Sequence, residues 1–307
     1  MTPTLKVELV AYKGWPNCYR ISNGEVELIA TTDVGPRIIR YGFVGGENVF
    51  KEFESELGKS GEEKFTARGG HRIWVAPEDA ERTYVADNFP VDAKTFDDGV
   101  ELIAPVEPET GLQKRIIIEL APTGSGVKVT HSIKNTLPQT VEIAAWALTM
   151  MAPGGTGITG FPPRGTHPEI LSPTNPLVMW AFTDFSDKRW LFTKKYLMLH
   201  NDPNVAAPTK AGLFHPFTWG AYLRAGTLFI KRYRADPDKR YPDFHCSFET
   251  FTNADVLELE TLGPLSSIKQ GDGVEHIEHW TLRNGVNFTE FTDENLDRML
   301  LPLLQLI

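Results

Sequence analysis

The sequence predicts an all-β protein, an antiparallel β-sandwich built from the whole chain, residues 1–307, with few short helices. Three observations predict it. Short alternating runs with strand character recur from end to end, clusters of Gly, Asn, Ser and Pro separate them, and helical periodicity is almost absent. In chain order the runs are 6–9, 25–31, 38–43, 114–120, 127–133 and 140–150. They continue at 196–200, 221–223, 227–233, 246–251, 256–262 and 276–282. Ser22-Asn23-Gly24, Gly45-Gly46-Glu47-Asn48 and Thr123-Gly124-Ser125-Gly126 are the clearest turns. Neither a composition shift nor a repeat period divides the chain, so one domain is expected. The glycine- and proline-rich stretch from Ala152 to Pro163 reads as a loop over a sheet edge or a site mouth. After Thr292, Asp293 and Glu294 suit a helix N-terminus, and Leu296, Met299 and Leu300 form an apolar stripe before Pro302. That stripe is expected to pack on the chain's own sandwich, the alternative being a second copy, so a monomer or homodimer is expected.

Composition narrows the function classes. A net charge of −9 argues against nucleic acid as a partner, because phosphate backbones select basic patches. No apolar run reaches the roughly 18 residues that a membrane-crossing helix needs. The first ten residues lack the basic and apolar regions of an export leader, which points to the cytoplasm. Two cysteines, Cys18 and Cys246, cannot build a zinc site or a disulfide framework, and free thiols are expected. There is no phosphate-binding glycine loop, no Gly-x-Gly-x-x-Gly, no nucleophile elbow and no His-Glu-x-x-His, so no cofactor and no metal are expected.

Chemistry concentrates near the C-terminus. In the run 253–265, Glu258 and Glu260 alternate with Leu257 and Leu259 before Gly263-Pro264 breaks the strand. Both carboxylates therefore share a strand face, and two like charges so placed need water, a cation or a polar ligand. A merely solvated face is the plain alternative. With its continuation through Glu275-His276-Ile277-Glu278-His279-Trp280, this segment resembles the closing strands of the aldose 1-epimerase (galactose mutarotase-like) superfamily. Further matching pieces are 25–39, with its Gly35-Pro36-Arg37-Ile38 turn, Thr66 to Glu78, with Arg68-Gly69-Gly70, and Val127 to Asn135. Gly69-Gly70-His71-Arg72-Ile73-Trp74, Tyr241-Pro242-Asp243 and Glu258 to Pro264 resemble an uncharacterised bacterial branch of that superfamily more closely.

The resemblance implies a two-sheet supersandwich, a sugar as small-molecule partner, and an isomerase that interconverts anomers. Its Leu-Glu-Thr glutamate, the family's base, falls on Glu260. The family's active-site histidine falls on Trp146, whose indole is a donor only and transfers no proton at neutral pH. Arg68 stands where another family histidine stands, three residues before His71. His71 is thus the replacement candidate for the acid, set against a surface or structural role. Arg68 and Glu258 are candidates for contacting sugar hydroxyls, and Trp146 and Trp219 for stacking on sugar, with core packing the alternative for both indoles. Arg37 is expected to brace a glutamate or form a structural ion pair. Asp243 is a candidate contact that would share a face with His245 if 241–246 is extended. Loss of the histidine keeps a rival open, a carbohydrate-binding or sensing protein on the same fold without catalysis.

Overall fold

The computed structural model describes residues 5–287 and 290–304. The first four residues, part of the stretch read for an export leader, lie outside the described residues. Two antiparallel sheets stack face to face. Across the first, the strands run Lys6–Tyr12, Trp15–Ser22, Val26–Thr31, Arg37–Phe43, His71–Ala76, Val141–Met151, Leu257–Leu262, Phe248–Thr252, Thr209–Leu213 and Leu177–Met179, with Ser266–Ile268 added to the side of Val141–Met151. The second runs Trp190–Phe192, Tyr196–His200, Thr156–Gly160, Phe217–Arg224, Thr227–Arg234, Gly273–Asn284, Val127–Asn135, Leu112–Leu120, Gly99–Ile103 and Asp92–Phe96. No helix among the described residues is long and apolar enough to cross a membrane.

Alternation decides what each face does. Ile73, Val75, Ala145, Met151, Leu257, Leu259 and Phe248 point between the sheets and join Ile116, Ile118, Val129 and Trp280 in the main core. The residues one step away, Trp74, Trp146, Leu148, Met150 and Leu262, form a separate cluster on the outer face of the first sheet. Phe53, Phe65 and Ala67, from the connection between the Arg37–Phe43 and His71–Ala76 strands, cover part of it. That outer face carries the candidate site.

Two expectations need correcting. The stretch read as a loop at 152–163 contains a fully buried strand, Thr156–Gly160, between Tyr196–His200 and Phe217–Arg224. Its glycines are there for close approach, since a Cβ on Gly157 would meet the Leu257 methyls and one on Gly160 the Trp219 indole. Trp219 is also not on the candidate site face. It packs on the outer side of the second sheet with Ile158, Tyr196 and Ile230, in the cluster completed by Leu296 and Leu300 of the C-terminal helix Asp293–Leu304. The stripe on that helix thus docks on the chain's own sandwich, as expected. Cys18 and Cys246 are both buried and free.

Candidate functional site

Strand register assembles the outer-face site. Glu260 lies opposite Leu148 on one side and Glu249 on the other, and Leu148 in turn lies opposite Arg72. Glu258 lies opposite Met150 and Phe251, and Phe251 opposite Lys210. Five neighbouring strands therefore aim Arg72, Trp74, Trp146, Glu258, Glu260, Glu249 and Lys210 to the same side of the sheet.

Glu260 has no exposed surface. Its Oε2 accepts hydrogen bonds from Trp146 Nε1 and Lys210 Nζ, each at 2.8 Å, whereas its Oε1 is buried and has no partner. The Lys210 ammonium also lies 2.8 Å from Glu249 Oε2 and over the indole rings of Trp146 and Trp180, 4.8 and 4.7 Å from their centroids. Burial alone would lower the lysine pKa, but Glu249 and Glu260 together hold it above the ordinary range, so Lys210 is a cation. Burial, opposed by Lys210 and reinforced by Glu260, raises Glu249. Glu258 is different. It is partly exposed, and no hydrogen bond or ion pair among the described residues reaches its carboxyl group. Burial first and the Glu260 charge second raise its pKa to about 8, against the pull of Lys210 and Arg72.

Aromatic rings wall one side. Trp146, Trp74, Tyr84 and Phe65 follow one another with centroids 5.2, 5.2 and 5.5 Å apart. The Arg72 guanidinium stacks 4.4 Å from the Phe65 ring and 4.9 Å from that of Trp74, and donates to Asp87 at 2.8 Å. A cavity of about 710 Å³ opens beyond this wall, bordered by Phe65, Tyr84, Asp87, Phe89 and Val106.

Several expected site residues belong elsewhere. His71 precedes Arg72 by one residue, so its side chain points between the sheets and away from Glu260. There it sits in a buried polar network with Thr149, His131, Lys231, Glu278, Thr261 and His276. Proton bookkeeping assigns the tautomers. His131 Nδ1 donates to the His276 carbonyl at 2.9 Å, which leaves its Nε2 to accept from His71 Nε2 at 2.7 Å. His71 Nδ1 then accepts from the Thr149 hydroxyl, which accepts from Lys231 Nζ. Glu278 takes Lys231 at 2.7 Å, the Thr261 hydroxyl, and Trp280 Nε1 at 2.8 Å. All three imidazoles are neutral, and burial pushes His71 and His131 below the usual range and His276 down to about 3. His71, His131 and Glu278 bring ligand atoms within 4.8 Å of one another, a set a transition metal would accept. The ammonium of Lys231 already supplies the cation beside Glu278, and the His71 and His131 ring nitrogens of that set spend their hydrogen-bonding capacity on each other.

Arg68 is fully buried and spent on structure, donating to the Glu56 carbonyl at 2.8 Å, to Asn88 Oδ1 at 3.0 Å and to Glu62. The arginine on the site face is Arg72, which sequence reasoning passed over. Arg37 braces an aspartate rather than a glutamate, donating to Asp87 at 3.0 Å and to the carbonyls of Ala67 and Gly69. Asp243 does not share an extended face with His245, because Asp243, Phe244 and His245 all have positive φ in a single tight turn. It contributes charge near Glu249. Lys210 and Glu249 were missed. The signal for Glu249 was the alternation Phe248-Glu249-Thr250-Phe251, whereas Thr209-Lys210-Ala211-Gly212-Leu213 has too little β-propensity to be read as a strand.

Comparison with solved structures identifies the fold as that of the galactose mutarotase-like proteins. A galactose mutarotase-like protein from Clostridium acetobutylicum superposes with a TM-score of 0.55 at 12% identity, covering 92% of this chain and 99% of its own. A galactose mutarotase related enzyme from Lactobacillus acidophilus gives 0.54 at 9% identity, covering 89% and 100%. A galactose mutarotase-like protein from Lactobacillus casei ATCC 334 gives 0.53 at 10%, covering 87% and 100%. No protein-family profile matches the chain, and no curated protein matches it. At such identities the likeness concerns the fold, and the site must carry the function.

Proposed function

We propose that the protein is a mutarotase-like isomerase acting on a sugar, with Glu260 as the general base. One observation carries this reading: Glu260 is clamped through Oε2 by Trp146 and Lys210 while Oε1 is left buried without a partner. Trp146 and Lys210 fix the carboxylate in place, and its free oxygen is the atom a hydroxyl proton would reach. Trp146 and Trp74 supply apolar faces of the kind that pack on sugar rings. The site holds the carboxylates Glu249, Glu258 and Glu260 against Lys210 and the Asp87-paired Arg72, which favours a neutral sugar over a phosphorylated one. Because Glu260 has no exposed surface, a sugar reaches it only when a side chain above it swings aside. A cytoplasmic home and the absence of nucleic-acid partners belong to the same reading.

Glu260→Gln keeps the shape and removes the basic lone pair. Anomer interconversion, followed by polarimetry or anomeric-proton NMR over a panel of neutral aldoses, should fall about 10²-fold or more. Sugar affinity should change much less. Equal rates for wild type and variant would remove the base assignment. Wild-type protein that binds sugars yet never exceeds the buffer rate would instead favour a carbohydrate-binding or sensing role, the reading that the tryptophan at position 146 supports.

A further inference from the structure

Ring opening needs a proton donor as well as a base, and the two residues from which sequence would draw it are both unfit. Trp146 offers only an indole N–H, which is already given to Glu260. His71 lies on the other side of the sheet, neutral and enclosed, with both ring nitrogens engaged. A donor must therefore come from the outer face itself. Of the charged groups there, Lys210 is bound between two carboxylates and Arg72 is paired with Asp87. Glu249 is buried against Lys210. Glu258 alone is partly exposed with a carboxyl group that no described neighbour engages.

We propose that Glu258 is the general acid of this site, paired with Glu260 as base. The proposal rests on the mutarotase-like reading above and adds the residue that completes it. Geometry permits the pairing, because residues two apart on a strand share a face with Cα atoms about 6.5–7 Å apart. Two hydrogen bonds of about 2.8 Å to oxygens on one carbon span such a gap. Their environments also diverge. Glu260 is clamped by a lysine and an indole, whereas Glu258 keeps its proton up to about pH 8. A pair of carboxyl groups separated in this way divides naturally into base and acid.

The cycle balances without a co-reactant. Glu260 takes the proton of the anomeric hydroxyl as the bond between the anomeric carbon and the ring oxygen breaks, its electron pair leaving on the ring oxygen. Glu258 protonates that oxygen, giving the open aldehyde. After rotation about the adjoining carbon–carbon bond, Glu258 takes the proton back as the oxygen attacks the other carbonyl face. Glu260 then returns its proton to the new anomeric hydroxyl.

The test compares wild type, Glu258→Gln, Glu258→Asp and Glu260→Gln on the same panel of neutral aldoses, with rates from pH 5 to 10 and affinities by calorimetry. Wild-type turnover should decline above about pH 8 as Glu258 ionises. Glu258→Gln should lose about 10²-fold in kcat and the alkaline limb of its profile, while sugar affinity changes by only a few-fold. Glu258→Asp, which retains an ionisable acid, should restore part of the rate together with a limb, which a purely structural role would not produce. If Glu258→Gln does not fold, the aspartate variant and the wild-type limb decide. Glu258→Gln at wild-type rate with an unchanged limb, alongside an inactive Glu260→Gln, would overturn the proposal and leave the base assignment standing. A wild type no faster than buffer on every aldose would overturn both.

Discussion

Two buried lysine–glutamate centres lie on opposite sides of one sheet, a single residue apart in three strands. Arg72, Leu148 and Glu260 face outward, and their neighbours His71, Thr149 and Thr261 face the second sheet. Inside, Lys231 meets Glu278 at 2.7 Å, and its ammonium also bonds Thr149 and the carbonyls of Ala147 and Leu259. That centre joins strands of both sheets, and nearly every polar atom in it has a partner, with the acceptor His276 Nδ1 the exception. Outside, Lys210 is divided between Glu249 and Glu260, one oxygen of Glu260 is unpaired, and no hydrogen bond or ion pair among the described residues reaches the Glu258 carboxyl group. The lesson is that like chemistry serves different ends according to how completely it is satisfied. A closed network fixes sheet against sheet, and an open one is available to a ligand.

The sharpest way to break this comparison is Lys231→Met. Methionine fills the volume but leaves Glu278 as a buried carboxylate with no cation, which costs about 3–5 kcal/mol. Urea unfolding should show that loss, while any Glu260-dependent activity per folded molecule persists. A cost below about 1 kcal/mol would show that the inner network does not hold the sheets together.

Lys210→Met should cost less stability and more function. Glu249 and Glu260 face each other directly across two strands, and without the lysine they must share one proton. That proton relieves the repulsion but occupies the proposed base. The acid limb of the pH–rate profile should therefore move upward, with turnover at pH 7 down by about tenfold or more. An unchanged profile would mean that Lys210 does not set the ionisation of Glu260.

Much of this was legible in the residues. Period-two alternation put Glu258 and Glu260 on one face, and the match to Leu-Glu-Thr singled out Glu260 before any strand partner was known. What alternation cannot give is register. Whether His71 or Arg72 shares the face of Glu260 depends on which residue of Val141–Met151 lies opposite each, and one step exchanges the core for the outer face. The same limit hid the inner network. His131, Lys231 and Glu278 look like the polar face of ordinary strands, because two sheets must be stacked before those faces meet and pair.

The smallest effect offers the finest discrimination between the two centres, and it follows from the signs of their pKa displacements. Glu258 is raised to about 8 in the folded protein, against about 4.3 in an unfolded chain. Its contribution to stability is therefore fully present below about pH 4.3 and is lost as pH rises towards 8, because the unfolded chain releases the proton first. A glutamine at 258 does not titrate, so Glu258→Gln should gain on wild type between pH 5 and pH 8 and then level off. Solvent screening at the partly exposed carboxyl group trims the gain. Glu278 has the opposite sign. Although burial raises it, Lys231 and its other neighbours hold its pKa below the ordinary range, so its contribution is present above the unfolded value and lost in acid. Glu278→Gln should thus lose most near neutrality and recover relative to wild type only as pH falls. Melting curves should show Glu258→Gln gaining on wild type as pH rises from 5 to 8, and Glu278→Gln gaining on it only as pH falls from 5 to about 3. Parallel shifts would mean that the two carboxyl groups occupy equivalent environments, and the distinction between a closed centre and an open one would fail.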